Sequence, residues 1–370
     1  MEKINYGYFR LARELPLLVR ASVIKPKKSS PSCGNVLVVD TSLIGDFIAS
    51  LPALRTFIKR QRGNVDLIVA PHVFSLAKKI RGVRKVFIAN SVFFRKLDRK
   101  KIHTEDFDDY DTVLIMRLSN ESLRFVHGIS KRQVKTSLGP YLKYGFYLAR
   151  KILAKAELKQ WSDVNFEILG EKVKKVPFEQ IFCFEPSDLK KIENLPQMRT
   201  ESLKVIIHTG SGWPVKLWDN SKWIALLKRL NSIGDFRFIF IGGKDEKKDF
   251  LHIQRKLGFK VFSLIGKVDL KDLMLVMRQS DYFIGIDSGP RNMAHLADLR
   301  SVSLLGPGPK FFMPTDKRDI LVDKSDCRCN NLFCYKPVTC LQRITVGDVY
   351  KAFVTLSKQS AGLGKHTRNI

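Results

Sequence analysis

A chain of 370 residues with 44% hydrophobic content is long enough for two globular domains and too apolar to be disordered. No apolar run approaches the roughly 18 residues that cross a bilayer. The stretch before residue 34 has charges inside its apolar part and no small-residue cleavage site, so the sequence predicts a cytoplasmic protein without a signal peptide. Lys and Arg outnumber Asp and Glu by 65 to 36, a net charge of +29 that points to a polyanionic partner.

In chain order, residues 1–34 read as a basic N-terminal extension, within which 6–23 fit an amphipathic helix lying on an anionic membrane. Its "KPKK" run, like "RKLDRKK" at 95–101, lacks the interleaved aromatics of a nucleic-acid stacking platform. Short β-branched runs then alternate with helical patterns. Strands are predicted at 35–40, 65–70, 85–89 and 111–116 in a first domain, 35–195. A second domain, 200–350, has them at 204–210, 236–243, 260–266, 282–287 and 301–306. Helices are predicted at 53–62, 221–232, 269–280 and 291–298, and residues 351–370 form a C-terminal helix and tail. Such alternation predicts an α/β fold of two Rossmann-like domains, joined near 190–202, whose parallel sheets face a central cleft. Ligands of such sheets bind beyond the carboxyl ends of the strands.

Four junctions at those ends carry chemistry. The first strand runs into "DTSLIGDFIASLPALRTF", where Phe47, Ile48, Leu51, Leu54 and Ile58 recur at helical spacing. Pro52 marks a kink or the true helix start, with Ser50 as its N-cap. Gly45 and Asp46 fall in the first turn, and Asp46 is either an acid complementing the helix dipole or a general base aimed into the cleft. In "VIIHTGSGWPVKLWDN", Gly210, Ser211 and Gly212 allow close backbone approach, and Lys216 stands between Trp213 and Trp218 before a helix capped by Asp219 or Asn220. The loop is neither a Walker A sequence nor a G-x-G-x-x-G turn. "IFIGGKDE" ends a strand on Gly242 and Gly243 and presents Asp245 and Glu246, for a helix cap or for ribose hydroxyls. "IDSGPRNMAHL" ends a strand on Asp287 and opens a helix with Ser288, Gly289 and Pro290, whose backbone N–H groups suit a diphosphate. Asp287 would be repelled by that diphosphate and suits neighbouring sugar hydroxyls. His295 reads as a packed side chain or a catalyst.

Cys327, Cys329, Cys334 and Cys340 cluster as C-x-C-x4-C-x5-C. Disulfides are not expected in a reducing compartment, which leaves structural thiols or a zinc site.

In order and spacing these segments resemble the ADP-heptose:lipopolysaccharide heptosyltransferases, glycosyltransferase family 9. "SLIGDFIASLPALRTF", "GSGWPVKLW", "GGKDE", "DSGPRNMAHLADL" and "LLGPGP" are similar to its successive motifs, and the likeness spans about 35 to 350. The resemblance implies a GT-B fold and inverting transfer of a heptose from ADP-heptose, with no metal or other cofactor, to a lipopolysaccharide-core or lipid-linked acceptor at the inner membrane's cytoplasmic face. It implies Asp46 as general base, Lys216 at the diphosphate or donor sugar, and Glu246 on the ribose. Asp287 would hold sugar hydroxyls, and the Ser288 and Gly289 amides would receive the diphosphate. The chain departs from the family at Asn292, where a His is usual, at Gly308, where a Thr is usual, and in its shorter cysteine spacing. Two other readings keep the residues and change the activity: a nucleotide-sugar epimerase or hydrolase, and a non-enzymatic polyanion-binding protein.

Overall fold

Continuous Val, Ile, Leu and Phe runs become strands only where both sheet faces are covered, and the structure has this arrangement twice. It is a computed structural model that describes residues 34–89, 110–116, 160–308, 313–325 and 338–361. The basic extension, the 95–101 run, Cys33, Cys327, Cys329 and Cys334 lie outside those residues. The chain divides into two compact units, residues 1–184 with 311–314 and residues 185–310 with 315–370.

In the first unit, β1 (Asn35–Asp40), β2 (Val65–Val69), β3 (Val83–Ile88) and β4 (Tyr110–Ile115) form a parallel sheet of order β3-β2-β1-β4. Val38 of β1 lies opposite Leu67 of β2 and Leu114 of β4. The helix after β1 is one continuous element, Ile44–Arg60, and begins earlier than the 53–62 pattern predicts. Pro52 sits inside it rather than starting it. Ser50 is therefore no N-cap: its hydroxyl donates to the Phe47 carbonyl at 2.8 Å and to Asp40 at 3.0 Å. Phe47, Leu51 and Leu54 are buried from this helix. At the opposite, amino ends of the strands, buried Asp66 joins Arg84 and Tyr110. Burial would raise the Asp66 carboxyl, but hydrogen bonds from Arg84 and Tyr110 hold it below its ordinary value.

The second unit holds β5 (Leu203–His208), β6 (Phe236–Phe240), β7 (Phe262–Ser263), β8 (Tyr282–Ile286), β9 (Arg300–Leu304) and β10 (Asp319–Val322). All pair in parallel, in the order β10-β9-β8-β5-β6-β7. Its core packs Val205, Phe240, Ile284 and Leu304 of the sheet with Trp223 of the helix Asn220–Asn231 and Phe353 of the helix Val346–Ala361. The helix Pro186–Glu193 is tied to this unit by Lys191 to Asp272 at 2.5 Å and Lys271 to Asp188 at 2.6 Å. Among the described residues no helix is long and apolar enough to cross a membrane.

The strand orders fix where ligands can bind. Chain direction across the sheet reverses between β1 and β4, and again between β5 and β8. At such switch points the loops leaving adjacent carboxyl ends diverge and open a crevice. Asp46 follows β1. Gly210 to Lys216 follow β5, and Asp287 to Pro290 follow β8.

Candidate functional site

The β5 and β8 loops meet through charge. Lys216 Nζ donates to Asp287 Oδ2 at 2.5 Å, although 71 residues separate them. Both side chains are largely buried, at 10% and 16% exposure, so each compensates the desolvation of the other. Room for the ammonium comes from the turn after β9. A Cβ on Gly306 would lie 3.2 Å from the Lys216 chain, and one on Gly308 would lie 3.1 Å from Nζ. Gly308 also has φ +152, a backbone conformation that disfavours any side chain. The two tryptophans predicted to flank Lys216 do not do so symmetrically. Trp213 is 40% exposed, whereas Trp218 is buried in the core, edge-on to Trp223, with its indole N–H on the Ile344 carbonyl at 3.0 Å. Neither Asp219 nor Asn220 caps the following helix through its side chain: Asp219 is the N-cap residue without a side-chain bond, and Asn220 is the first helical residue.

Glu246 is held at the β6 end by its own motif. The Gly243 N–H donates to Glu246 Oε1 at 3.0 Å. Cβ atoms on Gly210 and Gly242 would come within 2.0 and 2.3 Å of Glu246 Oε2, so the carboxylate sits in space that a side chain at either position would take. Asp245 is exposed and outside this cradle. Against the carboxylate lies His208, the last residue of β5, which is 4% exposed and was not singled out in the sequence. Its Nε2 is 3.6 Å from Glu246 Oε2, and its Nδ1 is 3.0 Å from Ser288 Oγ.

Ser288 precedes the helix Gly289–Leu296, with Pro290 in its first turn, as the sequence predicts. Its hydroxyl also reaches the Ile286 carbonyl at 3.1 Å. Ser211 accepts the Trp213 N–H at 3.1 Å, and a Cβ on Gly212 would meet nothing within 4 Å. Asn292 is buried on the helix face. His295 is engaged elsewhere: its Nδ1 lies 2.8 Å from Asp319 Oδ2.

His295, Asp316 and Asp319 could offer three metal ligands within 4.8 Å of one another. Their charge is already answered, however. Arg291, fully buried, is 3.6 Å from Asp319, which also takes Ser301 Oγ at 2.6 Å, while Arg318 grips Asp316 at 2.5 Å. Burial alone would raise the Asp319 carboxyl, but His295 and Arg291 bring it below its ordinary value. Burial opposes ionisation of Asp316 likewise, yet Arg318 brings it down to about 2. Cys340 is buried beside Leu341 in the core.

In the first unit, Asp46 lies half-buried in the first turn of the Ile44–Arg60 helix, next to Gly45. Beneath it is an acid the sequence did not single out. Asp40 is 1% exposed and accepts the Ser42 N–H at 3.1 Å, the Ser42 hydroxyl, and Ser50 Oγ. Burial pushes its carboxyl above the ordinary value, and the charge of Asp46 adds to the push. A carboxyl raised in the folded state is favourable below its unfolded value and loses that contribution as pH rises through the folded one. Asp40→Asn stays neutral throughout, and its amide can donate to Ser50 Oγ, whose own proton goes to Phe47. The variant is expected to melt about 4 °C above the parent at pH 7, with the gap closing towards pH 4 in a pH-melting series.

Comparison with known proteins gives the family and the fold. The family model described as "Glycosyltransferase family 9 (heptosyltransferase)" matches residues 110–336, more than half of the chain. The chain belongs to glycosyltransferase family 9. It is thus a sugar-transferring enzyme, and its two Rossmann-like units are of the GT-B type. It is 23% identical to lipopolysaccharide heptosyltransferase 1 of Campylobacter coli over 310 residues, which covers 75% of this chain and 85% of that protein. Its fold is similar to that of a family 9 glycosyltransferase from Veillonella parvula, with a TM-score of 0.70 at 14% identity over 90% of this chain and 99% of the other. It is also similar to E. coli heptosyltransferase WaaC solved with ADP-2-deoxy-2-fluoro heptose, with a TM-score of 0.61 at 18% identity over 87% and 99%.

Proposed function

We propose that this family 9 enzyme transfers a heptose, with inversion, from ADP-heptose to an anionic lipopolysaccharide-core or lipid-linked acceptor. The observation that carries the reading is the Lys216–Asp287 pair at the β5/β8 switch point. It sets a fixed ammonium and a fixed carboxylate side by side, which is what a sugar attached to a diphosphate requires.

In this reading Asp46 removes the proton from an acceptor hydroxyl, whose oxygen attacks the anomeric carbon of the donor. The bond from that carbon to the diphosphate oxygen breaks, and nucleoside diphosphate leaves. Lys216 and the backbone N–H groups of Ser288 and Gly289 take the charge that develops on the leaving group, so the chemistry asks for no metal. Asp287 holds sugar hydroxyls through the oxygen that Lys216 does not occupy, and Glu246 holds the ribose. The WaaC structure with a fluorinated ADP-heptose supports ADP as the nucleotide, and the relative from Campylobacter coli supports a lipopolysaccharide acceptor. The net charge of +29 supports approach to such an acceptor at the cytoplasmic face of an anionic membrane.

A thermal-shift comparison of nucleotides tests the donor. ADP at 100 times its dissociation constant is expected to add about 2.7 kcal/mol of stability, with no such effect from UDP or GDP. Preferential stabilisation by UDP would overturn the assignment.

A further inference from the structure

His208 ties the two halves of the nucleotide-sugar site together. Glu246 Oε2 is buried and has no hydrogen-bond partner, a costly state for a carboxylate oxygen. The polar atom facing it is His208 Nε2 at 3.6 Å. On its other side the same ring meets Ser288 Oγ at 3.0 Å, at the start of the helix assigned to the diphosphate. Gly285 of β8 lies opposite His208 in register, and a Cβ there would come within 3.1 Å of the His208 Cβ and closer still to the Phe283 ring, so the strand leaves room for His208 only because it carries no side chain here.

The partners constrain where the proton sits. In the neutral ring, the Ser288 hydroxyl donates to Nδ1 and Nε2 carries the hydrogen. In the imidazolium, Nδ1 donates to Ser288, whose hydroxyl then donates to the Ile286 carbonyl at 3.1 Å. Both of these states set an N–H at Nε2 towards the orphan oxygen of Glu246, whereas a neutral ring protonated at Nδ1 would set a bare nitrogen lone pair against the carboxylate.

The geometry points to His208 as a positioning residue of the donor site. It closes on Glu246 Oε2 when nucleotide binds and so couples the ribose-binding carboxylate to the Ser288 end of the diphosphate site. This rests on the assignment of Glu246 to the donor nucleotide.

Two near-isosteric variants separate the contacts. His208→Gln keeps an amide near Nε2, and His208→Asn keeps one near Nδ1. By calorimetry with ADP, H208Q is expected to bind like the parent. H208N is expected to bind about tenfold more weakly, which is about 1.4 kcal/mol. Both variants should melt at the same temperature. In an E246Q background the H208N penalty should vanish, because the group it positions is gone. Equal affinities for H208N and H208Q, or a tenfold penalty that persists in E246Q, would overturn the role of His208. A parent enzyme that ignores ADP, or E246Q that binds ADP normally, would overturn the donor assignment instead.

Discussion

Asp46→Asn is expected to lower sugar transfer by about 10²- to 10⁴-fold while ADP affinity stays at the parental level. The amide keeps the volume of the side chain and its place in the first turn of the Ile44–Arg60 helix, but it cannot accept the acceptor's proton. Retained nucleotide binding follows from position, since Asp46 follows β1 of the first unit and the nucleotide groups all follow strands of the second. Asp40 supplies the control. It lies near enough for Asp46 to push its carboxyl up, but it is sealed at 1% exposure under Ser42 and Ser50, out of reach of a substrate. Asp40→Asn should therefore leave turnover intact, whereas Asp46→Asn should not. Single-turnover measurements with radiolabelled donor distinguish the two. Near-parental turnover in Asp46→Asn would remove it as the base.

The second unit was more legible in the sequence than the site it carries. Buried parallel strands read as unbroken apolar runs, and β5, β6, β8 and β9 were found that way. β10 was missed because its apolar core is only Ile320, Leu321 and Val322, between charged residues at the sheet edge. Loop motifs gave Lys216, Glu246 and Asp287 singly, since glycine turns at strand ends are local signals. That Lys216 pairs with Asp287, and that Gly210 yields space to Glu246, depends on strand order across the sheet, which local pattern does not encode. His208 and Asp40 were hidden for a related reason. Each ends an apolar strand and looks like part of it, and its role appears only when neighbouring strand ends arrive beside it. Arg291, which no local pattern singles out, is likewise explained only by the fold, where it is fully enclosed with Asp319.

Lys216→Met should lower kcat/KM by about 10²- to 10³-fold, because a fixed ammonium at the leaving diphosphate stabilises charge that grows in the transition state. The same change strands Asp287 at 16% exposure without its partner. A loss of about 3 kcal/mol in unfolding free energy is therefore expected alongside the loss of activity, and stability alone would then be a rival explanation. The double variant Lys216→Met/Asp287→Asn separates the two effects. With neither charge present nothing is left unpaired, so stability should return towards the parent while activity should not. Lys216→Arg probes the geometry further. The planar guanidinium keeps the positive charge beside Asp287 but not the ammonium's position, so it should preserve stability better than activity. Recovery of kcat/KM in the double variant would show that Lys216 serves the fold, not the diphosphate.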